Sequence, residues 1–406
     1  MTPKPPLSGS VTTEDQLRLK QLELNSLLEV TQAINANLSE ESLYKIFHFT
    51  LISNLQIKKL ALYVHDEEWS CKVNYGTETD FKVTQLTSEI TSIKKIGELP
   101  EDYLPFNEFD YILPIAHKNQ PLAFVFAGGI KDQLPDFSFI QTLTSIIIVA
   151  IENKKLARKE LRQEALRKEL EIARDVQAML FPKKLPETCD LRINASYFPH
   201  HTIGGDYYDY VELNEKEHLI CIADVSGKGI PAAILMSNFQ ASLRTLARQT
   251  LDLKQTVNEL NYLVKSNSKG ERFITFFIGI YNTENRTIKY INAGHNPPLV
   301  VNAEGQASFL ETGTTVIGVF DELPFIEEGS ITISSRSLLF LYTDGLTETS
   351  NAEGEEFGAE RLGEFLISHL NSNPNNIHSE LLNNLNNFRG NKPFPDDITF
   401  VSCLIS

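Results

Sequence analysis

His218-Leu-Ile-Cys-Ile-Ala-Asp224-Val-Ser-Gly227-Lys-Gly229 is the stretch that decides the fold of the C-terminal half. Leu219 to Ala223 is short, apolar and in part β-branched, which predicts a buried strand. Gly227 and Gly229 permit a sharp turn, and Pro231 suits the first turn of a helix. Leu235, Phe239, Leu243 and Leu246 then fall at helical spacing. Asp224 is thereby placed at a strand end beside a tight turn. Two roles fit it there: a cap for the following helix, or a ligand within a cluster of acids.

Other acids occupy equivalent places. Upstream runs Thr202-Ile-Gly204-Gly205-Asp206-Tyr-Tyr-Asp209-Tyr. Downstream, Leu338-Leu-Phe-Leu-Tyr-Thr-Asp344-Gly345 is again an apolar run closing on Asp-Gly, and Pro393-Phe-Pro-Asp396-Asp397-Ile-Thr399 leads into a final strand. Each has an ordinary explanation alone: turn chemistry for Asp344-Gly345, a solvated loop for Asp396-Asp397, a bend at Gly204-Gly205. Taken together, they are carboxylates that repel one another unless a cation joins them. Aspartates clustered without His or Cys prefer a hard, oxygen-seeking ion such as Mg²⁺ or Mn²⁺.

Bulk composition narrows the class. A chain of 406 residues suggests two or three domains, and 42% hydrophobic content is ample for packed cores. A formal net charge of −16 gives a nucleic-acid partner no electrostatic support. Cys71, Cys189, Cys221 and Cys403 are scattered, which fits a reducing compartment. The most apolar stretch, Ile146 to Ile151, is too short to span a bilayer, and no basic-then-apolar leader opens the sequence. The expectation is a cytoplasmic protein without membrane or nucleic-acid partners.

In chain order, residues 1–13 are rich in Pro, Ser and Thr and read as a disordered lead. A helix is expected from Glu14 to about Asn35, and Asn37 or Ser39 can cap a second. Strands are expected at Lys59–His65, Ser70–Tyr75, Tyr111–Ala116 and Leu122–Ala127, the last two joined by Lys118-Asn-Gln-Pro121. A long helix begins at Phe137. Leu166, Leu170, Ala173, Gln177 and Leu180 alternate steps of four and three, which is coiled-coil spacing. This predicts a stiff helical rod, with a homodimer joined through it and the N-terminal domain. Beyond it, hairpins are expected at Phe273–Tyr281 with Thr287–Asn292, at Pro298–Asn302 with Ala307–Leu310, and at Ser330–Ile333 with Leu338–Tyr342. Helices are expected near 229–248, 252–266, 359–371 and 377–388. The class is α+β, with domains at 14–152 and 186–406 joined by a linker helix at 153–185.

Residues 20–152, by the order of their elements and the hairpin Tyr111–Ala127, resemble a GAF domain. That implies a sensor of unknown small-molecule or protein signals, or a ligand-free dimerisation module. The C-terminal region resembles the SpoIIE-type branch of the metal-dependent (PPM, 2C-like) protein phosphatases. The matching segments are Ile172-Ala-Arg-Asp-Val-Gln-Ala-Met-Leu-Phe-Pro182, Gly204-Gly205-Asp206-Tyr-Tyr-Asp209, Ala223-Asp224-Val-Ser-Gly-Lys-Gly229, Asn292-Ala-Gly-His-Asn-Pro-Pro298, Tyr342-Thr-Asp-Gly-Leu-Thr-Glu348 and Asp396-Asp-Ile-Thr399.

The resemblance implies a PPM-type αββα sandwich. It also implies two Mn²⁺ or Mg²⁺ ions bridged by a water and by Asp224. Asp206 would serve one ion, Asp344 and Asp396 the other, with Asp397 acting instead of or beside Asp396, and the Val225 carbonyl contributing. Asp206, Asp224, Asp344 and Asp396 would be the catalytic set, and Asp209 is read as structural. The implied substrate is phosphoserine or phosphothreonine on a STAS-type anti-sigma-factor antagonist. No thiol-phosphate loop or P-loop offers another route. The competing readings are a catalytically silent partner-switching scaffold and an enzyme for small phosphate esters. His295 has two readings, an acid for the leaving serine and a structural loop residue, the latter favoured by the turn formers around it; Lys228 and Arg244 are read as surface residues able to aid phosphate binding.

Overall fold

A computed structural model describes residues 13–55, 57–99, 103–117, 120–130, 136–334, 336–370 and 374–406. Most of the expected lead at 1–13 and the tip of the turn at 118–119 lie outside the described residues. The chain divides into two compact units, Met1–Glu164 and Ala165–Ser406. Among the described residues no helix is long and apolar enough to cross a membrane.

The first unit opens with α1 (Thr13–Asn35) and α2 (Glu40–Leu55). Ser39 caps α2, since its Oγ accepts from the Ser42 amide at 3.1 Å. Asn37 instead takes the left-handed turn between the helices, with φ of 57°. There follow β1 (Lys59–His65), β2 (Trp69–Tyr75), α3 (Ser88–Thr91), β3 (Gly97–Glu98), β4 (Tyr111–His117) and β5 (Gln120–Gly128). They form an antiparallel sheet in the order β2-β1-β5-β4-β3. Period-2 alternation separates two cores. Leu60, Leu62 and Val64 pack with Phe47 of α2 and with Ile140, Leu143 and Ile147 of α4 (Phe137–Ala178). Ala61 and Tyr63 face the opposite side, with Phe81, Phe106 and Phe126.

The helix α4 is continuous for 42 residues. The expected heptad row along it meets two environments. Leu166 and Ala173 are exposed, whereas Gln177 is buried and Leu180 packs into a core of the second unit. The last turn of the helix is therefore occupied by its own domain, and only the earlier positions remain open.

The second unit is built from β6 (Leu191–Phe198), β7 (Tyr207–Glu212), β8 (Glu217–Val225), α5 (Ile230–Leu246), α6 (Leu253–Ser268), β9 (Ile274–Asn282), β10 (Thr287–Ala293), β11 (Leu299–Asn302), β12 (Ala307–Phe309), β13 (Gly313–Thr314), β14 (Gly329–Thr332), β15 (Ser337–Tyr342), α7 (Asp344–Thr347), α8 (Gly358–His369), α9 (Pro374–Arg389) and β16 (Ile398–Ile405). One sheet runs β13-β10-β9-β8-β7, with β14 also on β10; the other runs β12-β11-β15-β16-β6. Ile220, Ile222 and Phe277 of the first sheet meet Leu339, Leu341, Val401 and Cys403 of the second between the layers. On the outer faces, Leu219, Cys221 and Ala223 pack under α5 and α6, and Leu338, Phe340 and Phe400 under α8 and α9. The result is an αββα sandwich, as two sheets with one helix-covered face each require.

One expected hairpin is corrected. The strands at 330–333 and 338–342 do not pair: β14 joins β10 in one sheet, and β15 lies between β11 and β16 in the other. The chain crosses between layers there, which two adjacent strand-like runs cannot reveal. The helix expected at 377–388 begins earlier, at Pro374.

Candidate functional site

Strand parity carries Asp224 into the inter-sheet space. Leu219, Cys221, Ala223 and Val225 face the helices, so Ile220, Ile222 and Asp224 face the second sheet. The cap role is excluded, because Gly229 is the N-cap of α5 and no side chain caps it. In the β7–β8 register Tyr207 opposes Ala223, so the next pair outward is Asp206 and Asp224. Two of the acids are thus set side by side by one turn of sequence pairing.

The second sheet supplies the others. Thr343, after β15, and Thr399, in β16, both donate to Asp206 Oδ2, at 2.9 and 2.5 Å. Thr343 Oγ1 in turn accepts from the Thr399 amide at 2.9 Å. Asp344 follows Thr343 directly and starts α7. Gly345 is required by close approach, since a Cβ there would lie 2.1 Å from Asp397 O. Asp397 Oδ1 accepts from the His200 amide and Oδ2 from the Gly205 amide, both at 2.7 Å. Asp396 pairs with Lys228, its Oδ2 2.8 Å from Nζ. A Cβ at Gly205 would sit 2.8 Å from the Val225 carbonyl oxygen, which places that carbonyl against the loop carrying Asp206.

The electrostatics follow from this crowding. Asp206 is 1% exposed, and burial, followed by the charges of Asp224 and Asp397, drives its carboxyl well above the usual range. Burial, then Asp344 and Asp396, pushes Asp224 up to about 7. Asp344 is raised by burial and by Asp396. The Tyr197 hydroxyl is buried against Gly204 and Asp397 and finds no hydrogen-bond partner among the described residues. Buried carboxylates of which, among the described residues, only Asp396 has a paired cation, beside an orphaned hydroxyl, are the setting that a hard cation and its water satisfy. All donors are oxygen, so the residues fit that group. Among the described residues, though, no three His, Cys, Asp or Glu side chains are yet arranged around one ion-sized point. Backbone amides hold Asp397 and an ammonium holds Asp396 instead.

Other residues singled out in the sequence resolve differently. Asp209 is not part of this cluster: Arg244 binds it through two bonds of 2.7 and 2.8 Å, and the Tyr207 hydroxyl donates to it as well. Arg244 is thereby committed to structure. His295 is buried, with Nδ1 2.8 Å from Thr275 Oγ1 and Nε2 3.1 Å from Tyr342 O, and burial lowers its pKa to about 4. It is a neutral tie between the sheets. Sequence reasoning missed Thr343, Thr399 and Tyr197, which orient or line the acids. Thr343 and Thr399 stand inside the quoted Asp-containing motifs, and their hydroxyls were the available clue. It also missed Gln177 in α4, whose Nε2 donates to Gly204 O at 2.8 Å, next to Asp206.

Residues 214–404 match the family Stage II sporulation protein E (SpoIIE). The C-terminal unit belongs to the SpoIIE-type phosphatase family. Over 224 residues this chain is 31% identical to Phosphoserine phosphatase RsbU of Bacillus subtilis, covering 54% of this chain and 66% of that protein. Over 288 residues it is 28% identical to Protein IcfG of Synechocystis sp., covering 64% of this chain and 45% of that one. The chain thus spans about half to two thirds of the length of these relatives. The SiaA-PP2C domain of Pseudomonas aeruginosa superposes with a TM-score of 0.54 at 20% identity, covering 60% of this chain and 99% of that domain. That likeness is one of fold.

Proposed function

We propose that this protein is a metal-dependent phosphatase of phosphoserine and phosphothreonine in proteins. The observation that carries the reading is the meeting of Asp206, Asp224, Asp344, Asp396 and Asp397 from four chain segments at one edge of the sandwich. Asp206, Asp224 and the Val225 carbonyl would hold one Mn²⁺ or Mg²⁺ ion, and Asp224, Asp344 and Asp396 a second, with Asp397 fixing the Gly204–Gly205 loop by its amide bonds. Bound there, such ions supply positive charge against a phosphate dianion and acidify water. The chain's own part is orientation. Thr343 and Thr399 fix Asp206, the β7–β8 pairing fixes its distance from Asp224, and the packed sheets keep bulk water from the buried side. No side-chain nucleophile is required.

The kinship with RsbU supports a phosphorylated STAS-type regulatory protein as the substrate, within partner-switching control. The first unit would act as a GAF-like sensor whose state reaches the site through α4, because Gln177 holds the loop that carries Asp206. A homodimer through the first unit and the open part of α4 fits the exposed Leu156, Leu161 and Leu166.

A second reading, a scaffold that binds its phosphoprotein without turnover, draws on the Lys228–Asp396 pair, which neutralises a required acid. One assay separates them: the purified chain, Mn²⁺, and a serine-phosphorylated STAS protein beside a small phosphate ester. Release from the protein substrate supports the proposal, binding without release supports the scaffold, and preferred release from the ester assigns a small-molecule enzyme. Deleting residues 1–150 should alter both oligomeric state and turnover; no change in either removes the gating role.

A further inference from the structure

The turn after Asp224 presents a cation to the acids. Ser226 is clamped to the sheet, its amide donating to Phe273 O at 2.9 Å and its Oγ accepting from the Phe273 amide at 2.9 Å. Arg272 Nη1 donates to Ser226 O at 2.8 Å, and a Cβ at Gly227 would fall 2.0 Å from that nitrogen. Gly227 and Gly229 take φ of 92° and 72°, a reversal that a side chain would strain. Lys228 lies between them, and its Nζ reaches 2.8 Å from Asp396 Oδ2 and 3.0 Å from Pro395 O. The turn is therefore braced just before the lysine, four residues after Asp224, and runs into α5 just after it.

We propose that Lys228 is a built-in counter-cation that competes with a divalent ion for Asp396. An ammonium and a divalent ion drawn to one carboxylate repel each other at a few ångströms. To complete the set around Asp224, Lys228 must leave Asp396. The displaced ammonium stays on its braced turn at the rim, placed to meet a phosphate. The side chains of Lys228 and Asp396 are 44% and 39% exposed, so exchange needs no repacking of the core.

This role rests on the divalent-cation reading of the site, and Mn²⁺ alone tests it. Mn²⁺ binding to the full-length chain is titrated by electron paramagnetic resonance, without substrate, for wild type, Lys228→Met, Lys228→Arg and Asp224→Asn. Lys228→Met is expected to bind the more weakly held ion up to about fivefold more tightly, the span of one exposed ion pair. Lys228→Arg should stay near wild type, because it keeps the charge. Equal or weaker binding by Lys228→Met, with wild type binding normally, overturns the competition alone. Wild type and Asp224→Asn failing to bind alike overturns the cation site itself and the competition with it.

Discussion

Replacing Asp224 by Asn should make the metal-stripped protein more stable while removing its response to Mn²⁺. The folded carboxyl is pushed up to about 7 from an ordinary 3.8 by burial and by Asp344 and Asp396. The folded state therefore holds the proton more tightly than the unfolded chain does. Below pH 3.8 both states are protonated and no penalty exists. Between 3.8 and 7 the unfolded chain ionises first, so stability falls as pH rises. Linkage puts the penalty at about 2 kcal/mol at pH 5 and about 4 kcal/mol at pH 8. Urea unfolding in EDTA at those two pH values reads it directly, by the transition of the C-terminal unit. Asp224→Asn should gain about 4 kcal/mol over wild type at pH 8 and about half that at pH 5. Saturating Mn²⁺ should stabilise wild type and leave the variant unmoved. Equal stability of the two proteins in EDTA at pH 8 would refute the claim that these carboxylates crowd one another.

Arg244→Met should destabilise the C-terminal unit by roughly 3 kcal/mol in denaturant, since it strands the fully buried Asp209 carboxylate; a loss under 1 kcal/mol contradicts the structural role given to that pair. His295 is neutral when folded with a pKa of about 4, against 6.5 when unfolded, so its stabilisation is whole above pH 6.5 and drains as pH falls to 4. Unfolding at pH 7 and pH 5 should show a loss of about 2 kcal/mol from this group, absent in His295→Gln. Gly204→Ala should reduce Mn²⁺ affinity, because its Cβ would lie 2.1 Å from Asp397 Oδ2 and 2.3 Å from Tyr197 Oη; calorimetric titration unchanged from wild type would free that loop from the site.

Much of the sandwich was legible because its strands alternate cleanly. The run Leu219 to Ala223 and the Asp-Gly after Tyr342 each announce a strand end, and both ends meet at one edge. Which strands pair was less legible. The chain crosses from β14 in one sheet to β15 in the other within a few residues, and neither strand's pattern names its partner. The acids were visible as motifs, yet their support was not. Thr343 and Thr399 act across 56 positions of sequence, and such a contact exists only once two sheets are packed. Gln177 shows the opposite error: its spacing matches a heptad, but a polar side chain at a helix end can equally bind a loop of its own domain. Lys228 reads as a surface lysine until the braced turn shows where its ammonium is held.

Where divalent ions sit tests the metal site at Asp224 most directly. Crystals of the full chain grown with Mn²⁺ and measured at the manganese edge should show anomalous peaks beside Asp224, one shared with Asp206 and one with Asp344 and Asp396. Peaks confined to other acidic surfaces, with none at Asp224, would contradict it.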